Sequence, residues 1–318
     1  MRIRHVFPAA LVLAVVAGAA GPAAHAASAS GQLSSVPSAT HSKSRQLEVS
    51  AAKTESDAYL QYTGYADSVV KDRRPDLAQV WRTVGEVEHQ DHWTHEVTLA
   101  GLYSGSDNVA NLRTAITQAQ QAAQADTDWA ANAPKDSAAA AELRTVAARE
   151  TADAGLLKRA LTAEQGKGSM PAAPPVHTIP IQVSAGPHYS GSFYNDLTGD
   201  SNSALQAAAW NWAEYQFDAK TAVDTGQANL AALFSGLEAQ EQYENWAGLS
   251  NAAGYVNSDA ANLKASIASE QGAITMYTQY AGRAKNAGDT ATAAAFLSIR
   301  GDEMSHHQTF LRELDAGR

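Results

Sequence analysis

Stepped alternately by three and four residues, the chain shows stripes of helical period over residues 51–161 and again over 203–318. One stripe reads Leu77, Trp81, Val84, Glu88, Asp91, and another Leu230, Phe234, Leu237, Glu241, Glu244. The last two helices give Leu263, Ile267, Glu270, Ile274, Tyr277, Ala281 and Phe296, Ile299, Glu303, His306, Phe310. Leu143, Val146, Glu150, Asp153, Leu157 form a fifth, and Glu55, Tyr59, Tyr62, Ala66, Val69 a sixth. The periodicity predicts an all-α protein of two four-helix units. Six of its eight helices place a carboxylate in the stripe that faces the core.

The two units resemble each other. "NLRTAI" (111–116) matches "NLKASI" (262–267), and "EHQDHW" (88–93) matches "EQYENW" (241–246). The offset is 153 residues in the first, second and fourth helices of each unit and 151 in the third. A tandem repeat of one helical unit is the expectation. Residues 27–50, rich in Ser, Ala and Gly, read as a flexible linker. Residues 162–202 form a Pro- and Gly-rich linker in which "IPIQV" is suited to a short strand or a docked loop. His177 and His188 fall in this linker without a neighbouring second ligand and are assigned no role.

The first 26 residues carry Arg2 and Arg4, the apolar run "AALVLAVVAGAA" and the small-residue site "AHA". These are the parts of a secretory signal peptide cleaved after Ala26, so a secreted protein with no membrane segment after signal removal is expected. The formal charge of −10 becomes −12 if Arg2 and Arg4 leave with that segment. Such an acidic chain without a basic patch is a poor partner for nucleic acid. The absence of cysteine from the 318 residues excludes disulfides, thiolate-bound metals and a thiol nucleophile. No Gly-x-Ser-x-Gly elbow or His-Glu-x-x-His motif points to a hydrolase.

The acids in the apolar stripes therefore bear on function. Several ionised carboxylates in a low-dielectric seam repel one another and are costly without compensation. Protonation, a wet channel or metal would each offset that cost. Oxygen ligands with one or two imidazoles suit iron or manganese. The bland alternative is a bundle whose polar seam is only structural.

"NLKASIASEQGAITMYTQYAGRA" followed by "AAAFLSIRGDEMSHHQTFL" resembles the third and fourth helices of the rubrerythrin branch of the ferritin-like diiron proteins. "TESDAYLQY" and "GEVEHQDHW" are similar to the family's first two helices. The resemblance implies tandem ferritin-like four-helix bundles holding two iron ions, with manganese as the alternative. Glu55, Glu88 and Glu270 would then be ligands, together with Glu303 and His306 of a Glu-x-x-His motif. Three residues after Glu88 stands Asp91, on the stripe, and one later His92, beside it, so either completes the motif. His89 and His95 are expected at the surface.

Neither unit carries the full set. Ala119 and Ala208 stand where ligand Glu residues are expected, and no His follows Glu150 or Glu241. Two packings follow. In one, each unit closes on itself. In the other, helix pairs are exchanged, so that the first pair of unit 1 meets the last pair of unit 2 and assembles one complete set. The remaining helices would then form a depleted seam with the secondary candidates Glu150, Asp153, Glu241 and Glu244.

The resemblance further implies oxidation of iron or reduction of peroxide, with peroxide or dioxygen as the small-molecule substrate. A homodimer is one assembly open to such a protein. The rival class is a non-catalytic helical metal-binding or structural protein.

Overall fold

The computed structural model describes residues 44–71, 74–103, 105–132, 138–184 and 200–317. The expected signal peptide, its cleavage after Ala26, most of the 27–50 linker and His188 lie outside the described residues. The described chain is all-α, with the helices α1 (Arg45–Lys71), α2 (Pro75–Val87), α3 (Thr94–Leu99), α4 (Asn108–Asn132) and α5 (Ala138–Glu164). They are followed by α6 (Asp200–Asp224), α7 (Ala228–Gln240), α8 (Ala247–Ala253), α9 (Asp259–Asn286) and α10 (Thr290–Ala316). Two π-helical turns, π1 (Glu88–Trp93) and π2 (Glu241–Trp246), join α2 to α3 and α7 to α8 without a break.

Helix α1 starts at Arg45, inside the stretch read from sequence as linker. Leu47 and Ala51 are buried with Tyr277, Phe296 and Ile299, and Thr292 Oγ1 donates to Glu48 Oε1 at 2.6 Å. That packing on α9 and α10 supplies the order that local composition does not.

The helices pack as two four-helix bundles, and their membership is the exchanged one. The first bundle joins α1 and α2–π1–α3 to the C-terminal pair α9 and α10. Its core holds Tyr62, Tyr65, Trp81 and Val84 against Leu263 and Phe310. The second bundle contains α4, α5, α6 and α7–π2–α8. Its core holds Leu112, Ala119 and Leu157 against Tyr215, Leu230 and Phe234. The second bundle is thus contiguous in sequence, and the first is closed by the two ends of the described chain. Short connections at α3–α4 and α8–α9 carry the chain between them. Gly254, at φ +64°, ends α8 in the left-handed conformation that this turn needs.

A third apolar cluster joins the bundles where α1 packs on α6. It contains Leu60, Trp93, Trp210, Trp212, Trp246 and Leu249. Gly64 allows this approach, because a Cβ there would lie 2.6 Å from the Trp246 ring. The linker residues Ile179–Ser184 form a docked loop, not a strand. Ile179 N donates to Tyr243 O at 2.9 Å, Gln182 N to Asn251 Oδ1 at 2.8 Å, and Ser184 N to Val256 O at 2.8 Å. Proline and the lack of an open neighbouring strand leave such a segment to satisfy its backbone on helix ends and side chains.

Candidate metal centre

Four helical segments aim six ligand-type side chains into the middle of the first bundle. Glu55 comes from α1, Glu88 and His92 from π1, Glu270 from α9, and Glu303 and His306 from α10. One ligand atom each of Glu55, Glu88, His92 and Glu303 lie mutually within 4.8 Å, as do those of Glu88, Glu270, Glu303 and His306. Glu88 and Glu303 are shared by the two groups, so each of the two positions has one private carboxylate, one private imidazole and two common carboxylates.

The contacts show the same near-symmetry. Glu88 Oε2 lies 2.9 Å from His92 Nδ1, and Glu88 Oε1 lies 2.9 Å from His306 Nδ1. Glu303 reaches 3.6 Å from His92 Nδ1 with Oε1 and 3.5 Å from His306 Nδ1 with Oε2. Glu55 Oε2 is 3.7 Å from His92 Nδ1, and Glu270 Oε2 is 3.8 Å from His306 Nδ1. Both imidazoles therefore turn Nδ1 inward.

The outer oxygens are held by tyrosines. Tyr62 donates to Glu270 Oε1, and the Tyr277 hydroxyl bridges Glu55 Oε1 and, at 2.7 Å, Glu96 Oε1, with its one proton given to one of the two. Glu55 Oε2, Glu88 Oε1, Glu270 Oε2, Glu303 Oε1 and His306 Nδ1 are buried without a hydrogen-bond partner. Glu88 Oε1 and His306 Nδ1 approach closely without the alignment of a hydrogen bond. Unsatisfied buried acceptors of this kind are rare because each loses its solvation. Their convergence, with hard oxygen and imidazole donors, fits a pair of iron or manganese ions.

The electrostatics point the same way. Burial raises the carboxyls of Glu55, Glu270 and Glu303 well above the usual range, and neighbouring acids, Glu88 among them, raise them further. Glu88 alone is held low: burial pushes it up, but His306 and His92 outweigh that. His92 and His306 are raised because the surrounding carboxylates overcome burial. With all protons released, four carboxylates beside two neutral imidazoles would carry the four negative charges that two divalent cations neutralise.

The structure corrects three sequence expectations. Asp91 is exposed, and His92 occupies the inward position. The alternating step of three and four carries α-helical phase through residues 88–93. The wider π turn contains one residue more, so phase lands one position later. Glu244 is displaced by the same device in π2. It pairs with Arg149 Nε at 3.1 Å and accepts the His177 N–H at 2.7 Å, outside the Glu150–Asp153–Glu241 group.

His89, expected at the surface, is buried beside Tyr59, Trp93 and Trp212 and bonds to Gln216. Burial pushes its pKa down to about 4, so it is neutral at pH 7. His95 is exposed, as expected.

Glu96 escaped the sequence reading. It is fully buried, and burial raises its carboxyl well above the usual range. It lies eight residues after Glu88, a spacing that falls on one helical face only after the π turn is counted.

Fold and cluster define the class: an all-α, ferritin-like bundle protein whose buried carboxylate–imidazole cluster is compatible with a diiron site. Residues 261–318, which contain α9 and α10, match the Rubrerythrin family model and mark the chain as rubrerythrin-like there. No curated protein and no solved structure matches the chain.

Proposed function

We propose that the chain is an exported diiron protein that consumes peroxide or dioxygen, with ferrous iron as the source of electrons. The observation that supports this most strongly is the sharing of Glu88 and Glu303 between two imidazole-bearing positions. Glu55, Glu88, His92, Glu270, Glu303 and His306 would hold two ions. Two ferrous ions there would supply the two electrons needed to reduce one peroxide to two waters. The described chain has no thiolate to carry an iron–sulfur donor, which favours iron itself as reductant.

The protein's own groups fix and insulate that pocket. Tyr62 and Tyr277 clamp the outer oxygens of Glu270 and Glu55, so the inner oxygens face the shared space. Phe296, Ile299 and Phe310 lie on the same face of α10 and are buried on either side of Glu303 and His306. His92 Nε2 lies 3.5 Å from the exposed Asp302, a carboxylate that favours the ring orientation with Nδ1 inward. Peroxide reduction to water also consumes two protons.

The test is anaerobic reconstitution of the mature chain with ferrous iron, followed by metal analysis and peroxide addition. About two irons per chain and a rapid ferric absorbance after peroxide support the reading. Iron that binds but survives peroxide unoxidised favours the sequestering alternative, and no bound iron overturns both.

A further inference from the structure

The second bundle contains its own group of buried carboxylates, and their surroundings differ from the first. One ligand oxygen each of Glu150, Asp153 and Glu241 lie mutually within 4.8 Å. Each carboxylate has one oxygen held by a side-chain amide. Asn211 Nδ2 donates to Glu150 Oε1 at 3.0 Å, Asn245 Nδ2 to Glu241 Oε2 at 2.9 Å, and Gln240 Nε2 to Asp153 Oδ2. The opposite oxygens, Glu150 Oε2 and Glu241 Oε1, are buried with no hydrogen-bond partner.

A separate, uncharged group lies in the same bundle core: Tyr215 packs with Ala119, Leu157 and Leu237, and stands 153 residues after Tyr62, whose hydroxyl reaches Glu270 in the first cluster. The Tyr215 hydroxyl is fully buried and has no hydrogen-bond partner. Burial raises its pKa well above the usual phenol range, and the charges of Glu150, Glu241, Asp153 and Glu214 raise it further. The amides fix one oxygen of each carboxylate and leave Glu150 Oε2, Glu241 Oε1 and the phenol without partners, as side chains that orient metal ligands do.

We propose that Glu150, Asp153 and Glu241 form a second, separate site for one hard divalent cation of the manganese, magnesium or calcium type. The donors are oxygen only. The position of His92 is taken by Asn245 and that of His306 by Asp153, so nothing favours a softer or redox-cycling metal. Oxygen-bound cations of this class sit roughly 2.0–2.6 Å from their ligands, which the mutual spacing accommodates. The site does not rest on the reading of the first cluster, since the two share no residue.

Manganese(II) is the probe, read by electron paramagnetic resonance of the free and bound ion. With Glu88→Gln and Glu303→Gln silencing the first cluster, one manganese should still bind per chain. Adding Glu241→Gln should weaken that binding roughly tenfold or more, and Asn245→Ala should weaken it about ten- to hundredfold, as loss of an outer-shell partner does. If the silenced chain folds poorly, Glu241→Gln in the otherwise native chain should remove one of the bound ions and leave the rest. No manganese bound to the silenced chain, or binding that Glu241→Gln leaves intact, overturns the proposal in favour of carboxyls that share protons.

Discussion

The two bundles both bury a group of carboxylates in the core and surround it with different side chains. In the first, Glu88 and Glu303 are flanked by His92 and His306, and Glu55 and Glu270 complete two like positions. In the second, the residues 153 further on from Glu55 and Glu88 are Ala208 and Glu241, and Asn245 stands at the same distance from His92. Glu150 and Asp153 occupy the places of Glu303 and His306, and Ala119 that of Glu270. Removal of two carboxylates and both imidazoles leaves a seam whose acids are held by amides and shifted toward their neutral forms. Burial brings Asp153 to about 7 and Glu241 to about 8. A carboxylate–imidazole cluster and an oxygen-only group of acids thus differ by a handful of side chains.

The largest expected effect separates the seams by metal content. Glu88→Ala should abolish retention of both irons, because this carboxylate contacts both imidazoles. Glu241→Ala should leave iron in the first cluster unchanged. Metal analysis of the two variants decides it.

A smaller effect concerns proton cost in the second bundle. Burial raises Asp126 to about 7, against roughly 3.9 for an exposed Asp. Between those values the folded chain keeps a proton that the unfolded chain has lost, so this residue makes stability fall as pH rises from about 4 to about 7, and the loss levels off above that. Asp126→Asn should remove this dependence and stabilise the protein at pH 7 by up to about 4 kcal/mol. Denaturant unfolding at pH 5 and pH 7 would show the two curves converging at the lower pH.

The contact between bundles is next. Gly64→Ala forces a methyl against Trp246 and should cost about 1–3 kcal/mol, seen as an earlier thermal transition. The smallest effect belongs to the position on which sequence phase had landed. Asp91→Asn should change iron content not at all and stability by less than about 0.5 kcal/mol.

Much of this was legible in the chain. Glu55, Glu88, Glu270, Glu303 and His306 lie on stripes of unbroken helical phase, and the structure brings all five together. Asp91 and Glu244 were misplaced for one reason, the extra residue in each π turn, which periodicity counts cannot sense. The repeated frame of a Glu, four residues to His or Asn, then Trp, is the signal that could have revealed it. His89 was hidden because its burial comes from α6 of the other bundle, a contact that no local pattern encodes. Exchange of the helix pairs was readable only as complementary losses, since chain order alone favours packing between neighbours.

Anomalous diffraction at the iron edge from crystals of the iron-loaded chain tests the central claim most directly. Two peaks are predicted, both bordered by Glu88 and Glu303, one beside Glu55 and His92 and the other beside Glu270 and His306. Iron found only between Glu150 and Glu241, or no ordered iron in the first bundle, would contradict the account.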